Sequence, residues 1–245
     1  MLPSSTAADL PVLATGPRWV VVNKPAGIAT EGPPQFDNVE ARARVQWRRS
    51  ASSKAPFVGI VHRLDRPVSG ALLLARNKST LVALNEAFAR RQTQKTYWAV
   101  TEQPLPAESG RLVHYLMRDR TGRRAVASTR PLSGAKEAAL DYRLLRAAEG
   151  KFLYELLPLT GRFHQLRVQL ATVGCPIIGD AAYGSPRLLT EHGIALHARA
   201  LAFPEPGGEV TAEEVATVSV VAPLPGYWPL GVDGEEILEP DGPDA

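Results

Sequence analysis

The sequence predicts one α+β domain with a mixed sheet. Three observations lead there. Short apolar or alternating runs recur between turn residues, as strands do. Two or three segments among them carry helical spacing. The 245 residues are 44% hydrophobic and 22% charged, enough for one large core. That balance excludes a wholly disordered or collagen-like chain. No apolar run approaches the roughly 18 residues of a membrane-spanning helix, so no membrane partner is expected. The start, MLPSSTAADL, shows no basic region ahead of an apolar stretch, so no secretory signal is visible. The single cysteine, Cys175, cannot form an internal disulfide or a cysteine-cluster metal site. A cytoplasmic monomer is the expectation.

Residues 1–14 read as a loose leader, 15–230 as the domain and 231–245 as a disordered acidic tail rich in Pro and Gly. Arg18–Asn23 reads as a strand, closed by the turn Lys24-Pro25-Ala26-Gly27. Residues 31–56 are polar and hold Arg42, Arg44, Arg48, Arg49 and Lys54, with Arg42–Arg49 as one candidate helical face. Val58–Val61 and Ala71–Ala75 are short buried-strand candidates on either side of a polar segment. Lys78–Gln92 carries Leu81, Leu84 and Phe88 at helical spacing, with Asn77 or Ser79 as N-cap. Lys95–Thr101 is strand-like, and residues 103–135 read as loop-rich with strand fragments. Leu140, Tyr142 and Leu144 alternate with polar residues, and Lys151–Leu159 is another strand. Phe163–Val173 has a helical pattern, closed by Gly174 before Pro176. Ile194–Phe203 and Val215–Val221 complete the strands.

Charge is unevenly distributed. Six of the 25 acids (Asp233, Glu235, Glu236, Glu239, Asp241, Asp244) lie beyond residue 230, where there is no base. Residues 1–230 therefore carry 28 bases against 19 acids, a net +9, within a whole chain of +3. The bases are 22 Arg to 6 Lys. An Arg-rich, net-basic body suits a nucleic-acid partner, since the guanidinium fork matches phosphate. A GC-rich coding bias gives the same composition.

Four segments concentrate chemistry. His62-Arg63-Leu64-Asp65-Arg66-Pro67-Val68-Ser69-Gly70 packs a carboxylate, two guanidiniums, an imidazole and a hydroxyl into a turn between two apolar runs. An Arg–Asp turn that only staples two strands also fits it. Thr160-Gly161-Arg162-Phe163-His164-Gln165-Leu166-Arg167 crowds polar groups into a first helical turn, where exposed N–H groups favour anions. Arg162, His164, Gln165 and Arg167 cannot share one face at 100° per residue, so some must turn toward protein or a cleft. Gly179–Gly184 is a turn-rich loop in which Asp180 reads best as a cap. In Lys95-Thr96-Tyr97-Trp98-Ala99 the two aromatics point to opposite faces of a strand, one to core and the other free to line a cleft.

These segments, in this order, resemble the RluA-type family of RNA pseudouridine synthases. The resemblance rests on VVNKPAG (21–27), HRLD…SG (62–70), KTYWAV (95–100), LTGRFHQLRVQLATVGCPIIGDAAYG (159–184) and LHA (196–198), and spans about residues 15–225. Val68 stands where the family often has Thr, and Gln169 where a His commonly follows the arginine by two. Nothing before residue 15 resembles the small S4 RNA-binding domain of many relatives.

The resemblance implies a single pseudouridine-synthase-like catalytic domain with a mostly antiparallel sheet flanked by helices and loops, and no S4 domain. It implies conversion of uridine in structured RNA, ribosomal or transfer, to pseudouridine, with no cofactor and no metal. It assigns Asp65, Tyr97 and Arg167 to catalysis. It makes Arg63, His62, Arg162 and Gln165 RNA- or base-binding, with Arg63 filling the space a flipped-out nucleotide leaves. The Arg clusters at 42–49 and 118–130 are candidate phosphate contacts. Two other readings stay open: an RNA-binding or RNA-folding protein without turnover on the same scaffold, and a metal-dependent hydrolase using His62, Asp65, His164 and His197.

Overall fold

The computed structural model describes residues 9–33, 35–48, 55–207 and 216–231. The elements in chain order are β1 (Val12–Thr15), β2 (Trp19–Lys24), α1 (Val39–Gln46), β3 (Gly59–Ile60), β4 (Ser69–Ala75), α2 (Lys78–Ala89), β5 (Gln94–Thr101), β6 (Ser109–Arg118), β7 (Ala125–Ser128), β8 (Lys136–Ala148), β9 (Lys151–Pro158), α3 (Gln165–Thr172), β10 (Leu196–Pro204) and β11 (Thr217–Val221). One sheet runs β1-β2-β4-β10-β5-β9-β8-β6-β7, with β3 on β4 and β11 on β10. The β4–β10 pair is parallel, joining His197 to Ser69 and Ala198 to Gly70, and every other described pair is antiparallel. The architecture is the expected α+β mixed sheet.

The runs RWVVVN and ALLLA form strands buried on both faces, which is why they read as continuous apolar stretches. Val20, Val22, Leu72 and Leu74 enter the main core on one face. Trp19, Val21, Ala71, Leu73 and Ala75 enter a second core on the other, closed by Leu84 of α2 and by Leu201 and Phe203. Asn77 caps α2 by accepting the Thr80 N–H at 2.8 Å. A third, smaller cluster seats Val168 of α3 on Leu116, Ala125 and Ala138.

Several expectations need correction. The second half of the leader is not loose: Val12–Thr15 pairs with β2, and Leu10 is 1% exposed with its N–H on Gln46. Residues 1–8 lie outside the described residues, as do Arg49, Lys54, Val215 and all but the first residue of the acidic tail. Residues 103–135 are loop-rich as expected, but their strand content is one ten-residue strand, β6, with the four-residue β7, rather than scattered fragments. The outward positions of β6 include Val113, Tyr115 and Met117, so apolar residues on both faces hide the alternation. α1 ends at Gln46, and Arg42 and Arg44 do not share a face: Arg42 pairs with Asp37 and Arg44 with Glu40, both at 2.6 Å. α3 starts at Gln165 rather than Phe163, because His164 adopts the left-handed region at φ 52 and ψ 26.

Candidate active site

A cleft of about 920 Å³ opens beside the segment 61–68, lined also by β5 and by the approach to α3. The 61–68 segment is held from three sides. Thr30 Oγ1 donates to the Leu64 carbonyl at 2.9 Å and accepts the Leu64 N–H at 3.1 Å. The Gly27 N–H donates to Arg66 O at 2.9 Å, and Arg66 Nε donates back to Gly27 O at 2.7 Å. Lys24, fully buried, donates from Nζ to the carbonyls of Pro25, Ile28 and Arg66 at 2.9, 2.7 and 3.2 Å. Three acceptors match the three N–H bonds of an ammonium. Burial pulls the Lys24 pKa down to about 7, against the opposing charge of Asp65. Sequence reading placed Lys24 only in a turn. Its signal was a lysine closing a strand that opens with four apolar residues, Trp19–Val22.

Gly70 completes the mounting. Its φ is +114, and a Cβ there would collide with the Ala198 carbonyl. Only glycine allows β4 to run this close to β10 while β4 carries the loop that presents Asp65.

Asp65 reaches the cleft with its side chain about a quarter exposed. Its Oδ2 accepts from Arg167 Nη1 at 3.1 Å and lies 3.7 Å from His164 Nε2. Arg167 is itself 5% exposed. Its Nε and Nη2 form a fork onto the two oxygens of Asp180 at 2.7 and 2.9 Å. Burial acts against the Arg167 charge, but Asp180 and then Asp65 outweigh it and hold the pKa above its ordinary value. Asp180 is not the cap that sequence reading favoured. It makes no side-chain capping bond and instead anchors Arg167.

Tyr97 lines the same cleft from β5, while Trp98 turns into the core on the opposite face. Burial, reinforced by the Asp65 charge, raises the Tyr97 pKa, so the phenol stays protonated at neutral pH. Asp65, Tyr97 and Arg167 thus come together from three separate elements.

The four residues assigned to RNA or base contact differ in how available they are. Arg63 is 72% exposed at the cleft and pairs with Glu31 at 2.8 Å. Arg162 is exposed at the cleft, with Nε on the Glu137 carbonyl at 3.1 Å. His62 lines the cleft, but its Nε2 accepts the Leu73 N–H at 3.1 Å and its ring stacks on Phe88. Burial, with help from the Lys95 charge, lowers its pKa to about 3, so the imidazole is a neutral acceptor. Gln165 is the least available of these. It is 5% exposed; its Oε1 accepts from Thr160 Oγ1 and the Arg162 N–H, and its Nε2 donates to Ala139 O. Both polar atoms of its amide thus hold the 160–165 loop, with one Nε2 hydrogen not engaged by a described residue. Gln169, standing in for the family's frequent His, is fully buried and donates to Leu112 O at 3.1 Å and Ala138 O at 3.2 Å.

The hydrolase constellation does not assemble. His197 is fully buried with Nδ1 on Ser69 Oγ at 2.9 Å and Nε2 near Ala222 O at 3.3 Å. Among the described residues no three His, Cys, Asp or Glu side chains are grouped to hold a metal.

Asp65 fixed by a buried arginine, with a protonated tyrosine in the same cleft and exposed arginines at its mouth, gives a carboxylate placed to act as nucleophile or base beside a basic surface. The comparisons agree. Residues 18–172 match the RNA pseudouridylate synthase family, and the chain belongs to it. It is 32% identical to a ribosomal large subunit pseudouridine synthase C of Rickettsia bellii, over 85% of this chain and 66% of that protein. It is 35% identical to an uncharacterized RNA pseudouridine synthase of Zymomonas mobilis, over 84% of this chain and 90% of the relative. It therefore spans just under two thirds of the length of the Rickettsia protein. A solved structure, human RNA Pseudouridylate Synthase Domain Containing 1, superimposes with a TM-score of 0.72 at 26% identity, covering 92% of this chain and 87% of that one. Among the described residues no helix is long and apolar enough to cross a membrane.

Proposed function

We propose that this protein isomerises uridine in structured RNA to pseudouridine, in the cytoplasm and as a monomer. Ribosomal RNA is the favoured substrate, because the Rickettsia relative is named a ribosomal large subunit pseudouridine synthase, with transfer RNA the other candidate. The observation that carries the reading is Asp65, held by Arg167 at 3.1 Å in a cleft it shares with Tyr97. A uridine within a stem is out of reach, so the target is extruded into the cleft, at the cost of a few kcal/mol of lost stacking and pairing. Arg63, exposed at the cleft, takes the vacated space. Tyr97 stacks on the uracil.

Asp65 then acts in one of two ways. It attacks C1′ as N1 departs, or it removes the C2′ proton as N1 departs and later returns it. Both break N1–C1′, allow the base to turn and form C5–C1′. The C5 proton leaves and N1 ends protonated, so atoms balance without redox change or a group donor.

RNA from cells lacking the gene, labelled with tritium at C5 of uridine, tests this. Purified protein should release label in proportion to pseudouridine formed, and Asp65→Asn should lower the rate by at least about 10², the span of a positioned base. Release undiminished in the variant defeats the assignment of Asp65, and no release by the wild type defeats the reading as a whole.

A further inference from the structure

His164 occupies a backbone conformation that costs a non-glycine residue about 1 kcal/mol. Its φ of 52 is shared, among described non-glycine residues, only by Arg91 and Glu149, which lie in exposed turns. An N-cap position ordinarily takes Ser, Thr, Asp or Asn, whose side chain closes the first turn. His164 closes nothing there. Its ring instead stacks on Phe163, with centroids 3.8 Å apart, and spans two polar partners. Nδ1 lies 2.8 Å from Tyr183 Oη, and Nε2 faces Asp65 Oδ2 at 3.7 Å. The Tyr183 oxygen accepts the Ala125 N–H at 2.8 Å, and among the described residues Nδ1 is the only acceptor within reach of its own hydrogen, so we assign Tyr183 as the donor to Nδ1. A neutral imidazole that accepts at Nδ1 carries its hydrogen on Nε2.

We propose that His164 is a positioning residue for Asp65. With its tautomer set by Tyr183, it presents Nε2–H to Oδ2 beside Arg167, so that both protein donors converge on one carboxylate oxygen and Oδ1 is the atom that meets the ribose. This rests on the reading of Asp65 as the reacting carboxylate. Among the described residues no protein group hydrogen-bonds Oδ1. The charged groups facing the imidazole are Asp65, Arg167, Asp180 and Arg118. Burial dominates them and lowers the His164 pKa, so the ring is neutral when the enzyme works near pH 7. The 3.7 Å separation is that of a resting site, and catalytic hydrogen bonds commonly tighten when substrate is bound.

The test is single-turnover tritium release, with RNA affinity measured in parallel, for wild type, His164→Leu, His164→Gln, Tyr183→Phe and the His164→Leu/Tyr183→Phe double variant. His164→Leu should slow the single-turnover step about tenfold or more, with the RNA Kd within about twofold. His164→Gln, whose amide nitrogen reaches the position of Nε2, should recover most of that loss. Tyr183→Phe should slow the step when His164 is present and add little in the His164→Leu background. If His164→Leu does not fold, Tyr183→Phe alone carries the test, because losing the tautomer lock must lower the rate while Kd holds. His164→Leu at the wild-type rate, His164→Gln as slow as His164→Leu, or fully additive effects of the two sites overturns the proposal. An inactive wild type would instead overturn the synthase reading, so the two failures are distinguishable.

Discussion

Arg167 serves two carboxylates at once, and that decides what its removal does. The fork onto Asp180 is buried on both sides, with Asp180 2% exposed. The contact to Asp65 uses the remaining Nη1. Arg167→Met therefore leaves a buried carboxylate without its cation, a change that costs about 3–5 kcal/mol. In a domain of this size that should lower the thermal midpoint by about 10 °C, and a calorimetric scan checks it. A midpoint within about 2 °C of wild type would show that Asp180 finds another partner. The variant consequently reports on the fold before it reports on catalysis. Asp65→Asn does not share this defect, because Asp65 is partly exposed and Arg167 keeps its fork. Lys24 follows the same logic from the opposite sign: a buried ammonium costs several kcal/mol unless its hydrogens are all placed, and three carbonyls place them.

At the scale of elements, the catalytic loop depends on the parallel contact between β4 and β10. Gly70→Ala would force a Cβ onto the Ala198 backbone at a φ of +114. Neither strand can yield, since Leu72 and Leu196 on them are core residues. The variant should lose well over 2 kcal/mol of unfolding free energy in urea, and a loss below about 0.5 kcal/mol would show that the strands can part. Legibility from sequence follows the same elements. The strands β2 and β4 and the helix α2 were readable because burial on two faces, or a capped 3.6-residue period, leaves a dense local signal. β6 was not, since outward Val113, Tyr115 and Met117 erased the alternation. Within the site, Asp65, Tyr97 and Arg167 were legible as residues in distinctive motifs. Asp180 was weighed as a cap because its partner lies thirteen residues earlier, a tertiary contact that local pattern cannot carry. For Gln165 the resemblance supplied an RNA contact, and local pattern could not show that the Ala139 carbonyl of β8 and Thr160 also engage its amide.

The whole molecule carries two further consequences of where charge and burial fall. First, His62 and His197 are held neutral, with pKa values lowered by burial to about 3 and about 4 from 6.5. The unfolded chain binds more protons on these groups below pH 6.5, so their contribution is complete above that pH and is lost as pH falls toward 4. For the fully buried His197 alone, moving from pH 7 to 5 should cost about 2 kcal/mol. The urea midpoint should fall over that interval with m unchanged, ahead of the carboxylate pairs, which titrate lower. A midpoint constant from pH 7 to 5 would mean that these rings are not held neutral by the fold. Second, a run of unpaired positive charge lies at the β6–β7 turn and just past β7. Arg42 and Arg44 are paired with Asp37 and Glu40, which partly neutralises the α1 cluster. Arg120, Arg123, Arg124 and Arg130 are exposed and form no ion pair with a described residue. Arg118, the last β6 residue before the hairpin turn, stacks over Phe163 at 3.8 Å and lines the cleft, which puts the turn end of the hairpin beside the site. An RNA seated in the cleft should run its backbone across these four guanidiniums. Replacing all four by Gln should reduce the slope of log K against log salt by about 3, since each phosphate contact contributes about 0.7–0.9. KM should rise more than about tenfold near physiological salt while the single-turnover rate at saturating RNA holds. An unchanged salt slope would place the RNA on another face, and a lost rate at saturation would show that the hairpin acts on the chemistry rather than on capture.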